Sequence, residues 1–484
     1  MTAEQPTSDA AVVDLSRPRA IHLVGVGGAG ISAIAVVLAA MGHTVTGSDV
    51  VATDAWPALE AAGVVAEVVA APDLFAAAAR HGAEVLAHST AFTPAASDIA
   101  AAASDRRIVL DRAGILAAIC ARRPTVAVSG THGKTSTTAM LATLLDGAGA
   151  APSFLVGAIP LGLGIAARWD GEGDGVFVVE ADESDGTFLR LGAQVAVVTN
   201  IDADHLDHWG DLAAIEAAFD RFVAEAPSAV VDLDDPRGQV VTDPRAHAIA
   251  TRHRAMTVGE GPEARLRIAD VHVERLTTRF DLTLDGAPLG TFSLGTPGRH
   301  HARNAAVAVA VALGLGLDAD AARTALARYR GVTRRFEVVG EVRGVTVVDD
   351  YAHNPGKVRA LLASAQEAGW ERVVAIFQPH RYSRTRDLVA DLGAALAVAD
   401  VVAITDVYGA GEDPIDGVGG RLLVDAVFDQ RPWAQVAWVP TLDDALAWAR
   451  ATLRPGDLCL TVGAGDVSAL APRLVDALAD RSSA

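Results

Sequence analysis

The sequence predicts an α/β protein with parallel sheets, arranged as three domains. Three observations lead there. Short apolar, β-branched runs alternate with alanine-rich stretches of helical period along most of the chain, the rhythm of strand–helix–strand units. That rhythm breaks at Arg122–Pro124 and restarts near Gly331. With 484 residues, the chain is long enough for three domains of about 100–200 residues.

Residues 1–19 mix acids and prolines without an apolar core, which predicts a disordered tail and no signal peptide. The first domain is 20–121. Ala20–Val26 reads as a strand, followed by the turn GVGGAG, a helix from Ile31 and a second strand over Thr44–Ser48. Leu23–Gly42 carries no charge and is long enough to cross a bilayer. Its four glycines between Gly25 and Gly30 would spoil the first turns of such a helix, so strand, turn and helix explain it better.

The second domain is 122–330. Strands start at Thr125 and recur near 176–180 and 194–199. From Arg237 to about Leu294 the runs shorten to patterns such as RFDLTL with DG and PG turns nearby. That texture predicts a small antiparallel β insertion. A helix follows over Asn304–Leu313. In the third domain, 331–484, strands fall at 345–349, 373–377, 401–405 and 457–462. Each ends in a polar or glycine-rich loop, the place where open parallel sheets bind ligands.

Composition limits the function. The formal net charge is −20, which argues against nucleic acid or an anionic membrane surface as the main partner. Cys120 and Cys459 lie far apart, so neither a disulfide framework nor a cysteine zinc site is expected. A reduced, cytoplasmic setting fits. Lysine occurs only at 134 and 357.

Four motifs carry chemistry. Gly25, Gly27 and Gly30 form a G-x-G-x-x-G between a strand and a helix, with Asp49 at the end of the next strand. The pattern predicts a pyrophosphate at the helix start, with Asp49 accepting from a ribose hydroxyl. In VAVSGTHGKTS, Gly130, Thr131, His132, Gly133, Lys134, Thr135 and Ser136 read as a shortened P-loop. Amides of 131–136 are expected to face phosphate oxygens, and the Thr135 hydroxyl to ligate Mg²⁺. A lysine, compact and thin-stemmed, suits a closed cradle better than an arginine fork. Glu180 ends the next strand, with Asp182, Glu183 and Asp185 behind it, where a nucleotide's metal is held. In TNIDADHLDHWG, Asn200 ends a strand, and His205 and His208 sit among aspartates. Zinc fits H-x-x-H; beside a P-loop, a histidine joining a Mg²⁺ or Mn²⁺ shell is unusual because hard cations prefer oxygen. Arg381, Arg384 and Arg386 follow an apolar run, which suits an anionic substrate.

With GVGGAGIS, GTHGKTS, EADESD, TNIDADHLD, PGRH…NAA, RRFE, DDYAHNP, FQPHRYSRT, DVYGAGE and GAGD in order, the chain resembles the Mur ligases of peptidoglycan synthesis over nearly its whole length. The resemblance implies a Rossmann-like N-terminal domain holding a UDP-sugar, a central P-loop domain holding ATP, and a Rossmann-like C-terminal domain bringing an amino acid. It is nearest the alanine-adding members, with UDP-N-acetylmuramate and L-alanine as substrates, ATP and Mg²⁺ (or Mn²⁺) as cofactors, and an acyl phosphate as intermediate. It places His205 in the metal shell with Thr135 and Glu180, His300 and Asn304 near adenine, Asp350 at the ATP ribose, Arg335 at the transferred phosphoryl group, and His353, Arg381 and Arg384 at the reacting end. It also implies that domains close over the substrates, and that the protein is a monomer or weak homodimer.

Three departures stand out. No lysine lies between 135 and 356, so the carbamylated lysine of several relatives is absent. His301 and Asn354 stand where the family usually carries asparagine and histidine. Two rivals remain. A tripeptide-adding ligase of murein recycling would share the fold; an NAD-dependent dehydrogenase would use the first glycine motif but leave the P-loop unexplained.

Overall fold

The computed structural model describes residues 13–480 except 93, 172, 174 and 236–240. The expected tail, 1–19, lies outside the described residues as far as 12. Within 13–19, Val13 and Leu15 are buried against the first core, while Asp14, Ser16, Arg17 and Pro18 are exposed. The backbone groups into two compact units. One comprises residues up to Ala269 with Asp281–Phe292 and Arg303–Tyr329; the other comprises Asp270–Phe280, Ser293–Ala302 and residues from Arg330 onward.

The first unit opens with five parallel strands: β1 Ala20–Val24, β2 Thr44–Asp49, β3 Val65–Val68, β4 Val85–His88 and β5 Ile108–Asp111. Their order is β3-β2-β1-β4-β5. Strand order reverses beside β1, and the crevice at such a reversal is where these sheets bind ligands. The helix after the glycine turn begins at Ala29, two residues earlier than expected, and buries Ile31, Ile34, Val37 and Leu38. Among the described residues, no helix is long and apolar enough to cross a membrane.

The second sheet has ten strands: β6 Thr125–Ser129, β7 Ser153–Leu155, β8 Ala167–Arg168, β9 Phe177–Glu180, β10 Val195–Val198, β11 Ser228–Asp232, β12 Met256–Gly259, β13 Leu266–Glu274, β14 Thr277–Leu284 and β15 Ala287–Leu294. The order is β15-β14-β13-β12-β11-β10-β6-β9-β7-β8. Strand β6 is buried along its whole length and parallel to both neighbours, β10 and β9. The tips of these three strands therefore converge: Ser129, Glu180 and Val198 end side by side.

The antiparallel insertion is shorter than expected. The part of 237–294 before Leu266 contains a helix, Pro244–His253, and the parallel strand β12; residues 237–240 lie outside the described set. The reason is local. Asp243 caps the helix by accepting from the Arg245 N–H, and Pro244 occupies the first turn, a helix start in both residue type and order. Beyond it, β13, β14 and β15 are joined by two-residue turns, which permit only antiparallel hairpins. In the second turn both Asp285 and Gly286 have positive φ, as a tight hairpin requires.

The second unit is built on β16 Glu337–Val342, β17 Val345–Asp350, β18 Arg372–Phe377, β19 Val401–Ile404, β20 Gln435–Trp438 and β21 Asp457–Val462. The order is β16-β17-β21-β18-β19-β20, parallel except for the antiparallel edge strand β16. Val348, Val373, Ala375, Leu458 and Leu460 fill one face of its core. Loops carrying Tyr351–Pro355, Gln378–Thr385 and Gly463–Asp466 leave the carboxyl ends of adjacent strands.

Candidate active site

The chain turns sharply after β6. Gly130 has φ 132° and Gly133 φ 84°, conformations that favour glycine. Space forbids anything larger. A Cβ on Gly130 would stand 2.2 Å from Thr199 Oγ1, and one on Gly133 2.6 Å from Asn304 Oδ1. Asn200, at the tip of β10, clamps the turn. Its Oδ1 accepts the His132 N–H at 2.9 Å, its Nδ2 donates to the His132 carbonyl at 2.9 Å, and its own carbonyl accepts the Thr131 N–H at 3.2 Å. The Thr199 hydroxyl also donates to the His132 carbonyl, and Thr131 Oγ1 accepts the Asp202 N–H.

This corrects one expectation. The amides of Thr131 and His132 are turned to Asn200 and do not face outward. The N–H groups left for an anion are those of Gly133–Ser136, where the helix Lys134–Gly147 begins and no intrahelical partner exists.

Lys134 folds back over this turn. Its Nζ donates to the Gly130 carbonyl at 2.8 Å and stands 2.8 and 2.6 Å from the two oxygens of Glu183. Glu183 is only 3% exposed. Burial pushes its carboxyl up, and the Lys134 ammonium opposes that shift. Phe188, packed on Phe219 and Phe222, and Trp209, whose Nε1 donates to the Glu183 carbonyl, fix the loop that carries it.

Thr135 Oγ1 donates to Glu180 Oε1 at 2.9 Å, and Glu180 Oε2 accepts the Gly157 N–H at 2.7 Å. His205, at φ 52°, lies with Nε2 3.7 Å from Glu183 Oε1. It therefore sits beside Glu183, with Asp204 Oδ2 at 3.9 Å. No group of three or more histidine, cysteine or acidic side chains poised for a metal occurs among the described residues.

In the first glycine turn, Asp49 is buried, and its oxygens accept the N–H groups of Gly27 at 2.8 Å and Val50 at 2.7 Å. The expected ribose acceptor thus braces its own turn. Gly25 is at φ 79° with the Ser89 and Phe92 side chains against it, and Gly30 lies under the Arg112 guanidinium.

The second unit holds the remaining predicted residues apart from Asn304. Asp350 is buried; its oxygens accept the N–H groups of Phe336 and Ala352, both at 2.8 Å. Burial pushes its carboxyl up while the Arg335 charge pulls it down. Asp350 therefore shapes the RRFE turn. Arg334 is bound to the Gly463 carbonyl and Asp349, and both Arg334 and Arg335 lie over the Tyr351 ring, at 4.8 and 5.7 Å. His353 Nδ1 donates to the Tyr351 carbonyl at 2.9 Å, leaving Nε2 as an acceptor. Burial drives its pKa down to about 4, so it is neutral near pH 7. Arg384 approaches His380 Nδ1 at 3.1 Å, and the Arg381 N–H donates to the Tyr408 carbonyl.

His300 lies beside Ser364 in the second unit, while Asn304 lies against Gly133 in the first. Asn354 caps the helix Pro355–Glu367 through the Lys357 N–H, which accounts for asparagine there. Sequence reasoning missed the clamping role of Asn200, the Lys134–Glu183 pair and Arg112. The strand-tip position of Asn200 was its only signal.

Three family models match: Mur ligase family, catalytic domain, over 20–124; Mur ligase middle domain over 128–312; and Mur ligase, glutamate ligase domain, over 334–465. The chain is 42% identical over 99% of both lengths to a UDP-N-acetylmuramate–L-alanine ligase of Acidothermus cellulolyticus. It is 40% identical to the one of Salinibacter ruber, covering 94% of each chain. Among solved structures, UDP-N-acetylmuramate-alanine ligase of Thermotoga maritima superposes with TM-score 0.78 at 26% identity, covering 96% of this chain and all of that one. A murein peptide ligase of Psychrobacter arcticus gives TM-score 0.64 at 23% identity over 96% of this chain, a likeness of fold.

Proposed function

This chain belongs to the Mur ligase family, and from that premise we propose that it joins L-alanine to the carboxylate of UDP-N-acetylmuramate, an ATP-dependent amide-forming step of peptidoglycan precursor synthesis in the cytoplasm. The observation that carries this reading is the 42% identity across the whole chain to a relative of that activity. In the reaction, the terminal phosphoryl group of ATP passes to a carboxylate oxygen, giving ADP and an acyl phosphate. The alanine amine adds to the carbonyl carbon, loses a proton, and phosphate departs as the amide forms.

The chain's own groups suit these steps. The N–H groups of Gly133–Ser136 and the Lys134 ammonium offer positive charge to the phosphates. Thr199, Asn200 and Asn304 pack tightly over Gly130 and Gly133 and hold the turn closed. The hydroxyl of Thr135 and carboxylate of Glu180 are oxygen donors of the type Mg²⁺ or Mn²⁺ takes. When bound there, such an ion would neutralise charge on the transferred phosphoryl group. We assign His205 to the same shell; its Nε2 lies 3.7 Å from Glu183 Oε1, next to the loop that pairs with Lys134. Gly25, Gly27 and Gly30 shape the turn for the UDP diphosphate, with Asp49 as its brace.

From the second unit, we assign Arg335 to the phosphoryl charge, Arg381 and Arg384 to the amino-acid carboxylate, and neutral His353 to the reacting end. Asn304 is assigned to the adenine side, with His300, and Asp350 to the nucleotide ribose side through the RRFE turn it holds.

A substrate panel tests the proposal. ADP release should require UDP-N-acetylmuramate, L-alanine and Mg²⁺ together. Faster turnover with a tripeptide than with alanine, or NADH oxidation, would overturn it.

A further inference from the structure

A pocket in the first unit lies between the glycine turn after β1 and the tip of β9. Gly30, Arg112, Gly157, Glu180 and Asp182 line it. Arg112 is the first residue of the helix Arg112–Cys120, whose cap, Asp111, accepts the Gly114 N–H at 2.7 Å and pairs with Arg190 at 2.5 Å. The base of Arg112 is therefore fixed from two sides.

Its guanidinium is not satisfied. Nε is buried without a hydrogen-bond partner. Nη1 stands 3.5 Å from Asp182 Oδ2 and 3.9 Å from Asp185 Oδ2, beyond hydrogen-bond range. The two carboxylates thus balance its charge without occupying its donors. A buried donor left unmade is costly, and a guanidinium fork matches a carboxylate in two parallel bonds. Glu180 and Asp182 would repel a carboxylate entering this pocket; Arg112 is the cation placed to offset them.

We propose that Arg112 binds the carboxylate of the sugar-nucleotide substrate and holds it beside Glu180 for phosphorylation, a substrate-binding role that rests on the function proposed above. A diphosphate would also suit a guanidinium, and the ligand series separates the two.

The full chain and the variants Arg112→Gln and Arg112→Lys would be titrated calorimetrically, without ATP, with UDP-N-acetylmuramate, with UDP-N-acetylglucosamine, which keeps the diphosphate and lacks the carboxylate, and with UDP. Arg112→Gln should weaken UDP-N-acetylmuramate about ten- to a hundredfold and leave the other two within about twofold. Retained binding of those two also shows that the variant's site is folded. Arg112→Lys should recover part of the loss. Equal weakening of all three ligands would move Arg112 to the diphosphate and overturn the assignment, as would unchanged binding of UDP-N-acetylmuramate. Failure of the unaltered chain to bind UDP-N-acetylmuramate would instead overturn the function itself.

Discussion

The Lys134 ammonium stands 2.6 Å from the buried carboxylate of Glu183 while also donating to the Gly130 carbonyl. One side chain thus ties the phosphate-binding turn to the acidic loop after β9. A buried charge without its partner is strongly destabilising, so each member of the pair fixes the other.

Lys134→Arg keeps the charge but brings a wide planar fork into the space where the Lys134 ammonium meets the Gly130 and Thr131 carbonyls and the Glu183 carboxylate. Turnover should fall by about a hundredfold or more, while UDP-N-acetylmuramate binding is retained. Steady-state kinetics and a binding titration on the same sample check this; near-normal turnover would refute the cradle geometry.

Asn200→Ala removes both side-chain bonds to His132. It should lower stability by about 1–3 kcal/mol and raise the KM for ATP more than that for L-alanine. Thermal unfolding and initial rates against each substrate read the two effects. An unchanged ATP KM would show that the clamp does not shape the nucleotide site.

Gly133→Ala meets two obstacles, a left-handed backbone and Asn304 Oδ1. The second obstacle is removable. Gly133→Ala should destabilise the chain and Asn304→Gly should partly rescue it, because the clash goes and the backbone strain stays. A double-mutant cycle measures the coupling; strict additivity would contradict the close approach.

His301 is buried, with Nδ1 donating to the Pro297 carbonyl at 2.8 Å, and burial lowers its pKa from 6.5 to about 4. Between those values the unfolded chain binds the proton and the folded chain does not, so stability falls as pH drops from about 6.5 towards 4 and levels off below. His301→Asn, which removes the titrating ring, should flatten that slope, by on the order of 3 kcal/mol across the window. Melting temperature against pH for both proteins checks it; parallel curves would contradict it.

Much of this was legible in the sequence because the chemistry is local. The strand, GTHG turn and GKTS run that make the P-loop are contiguous, and their glycines sit where positive φ is required. Strand tips such as Glu180 and Asn200 were legible as the ends of apolar runs. What escaped depends on contacts between distant segments. Arg112 looks like an ordinary helix start until Gly30 and Asp182 are brought beside it. The turn of Thr131 and His132 amides towards Asn200 needs the register of β10 on β6, which no local pattern encodes. The helix Pro244–His253 was readable from Asp243 and Pro244, but the turn-rich texture around it masked the cap.

Transfer of a phosphoryl group to the substrate carboxylate can be followed directly with UDP-N-acetylmuramate carrying ¹⁸O in that carboxylate. Mass analysis of the inorganic phosphate released in the presence of ATP and L-alanine should find one labelled oxygen in each phosphate, the atom that bridged carbon and phosphorus. Phosphate free of label, with product formed, would contradict the account.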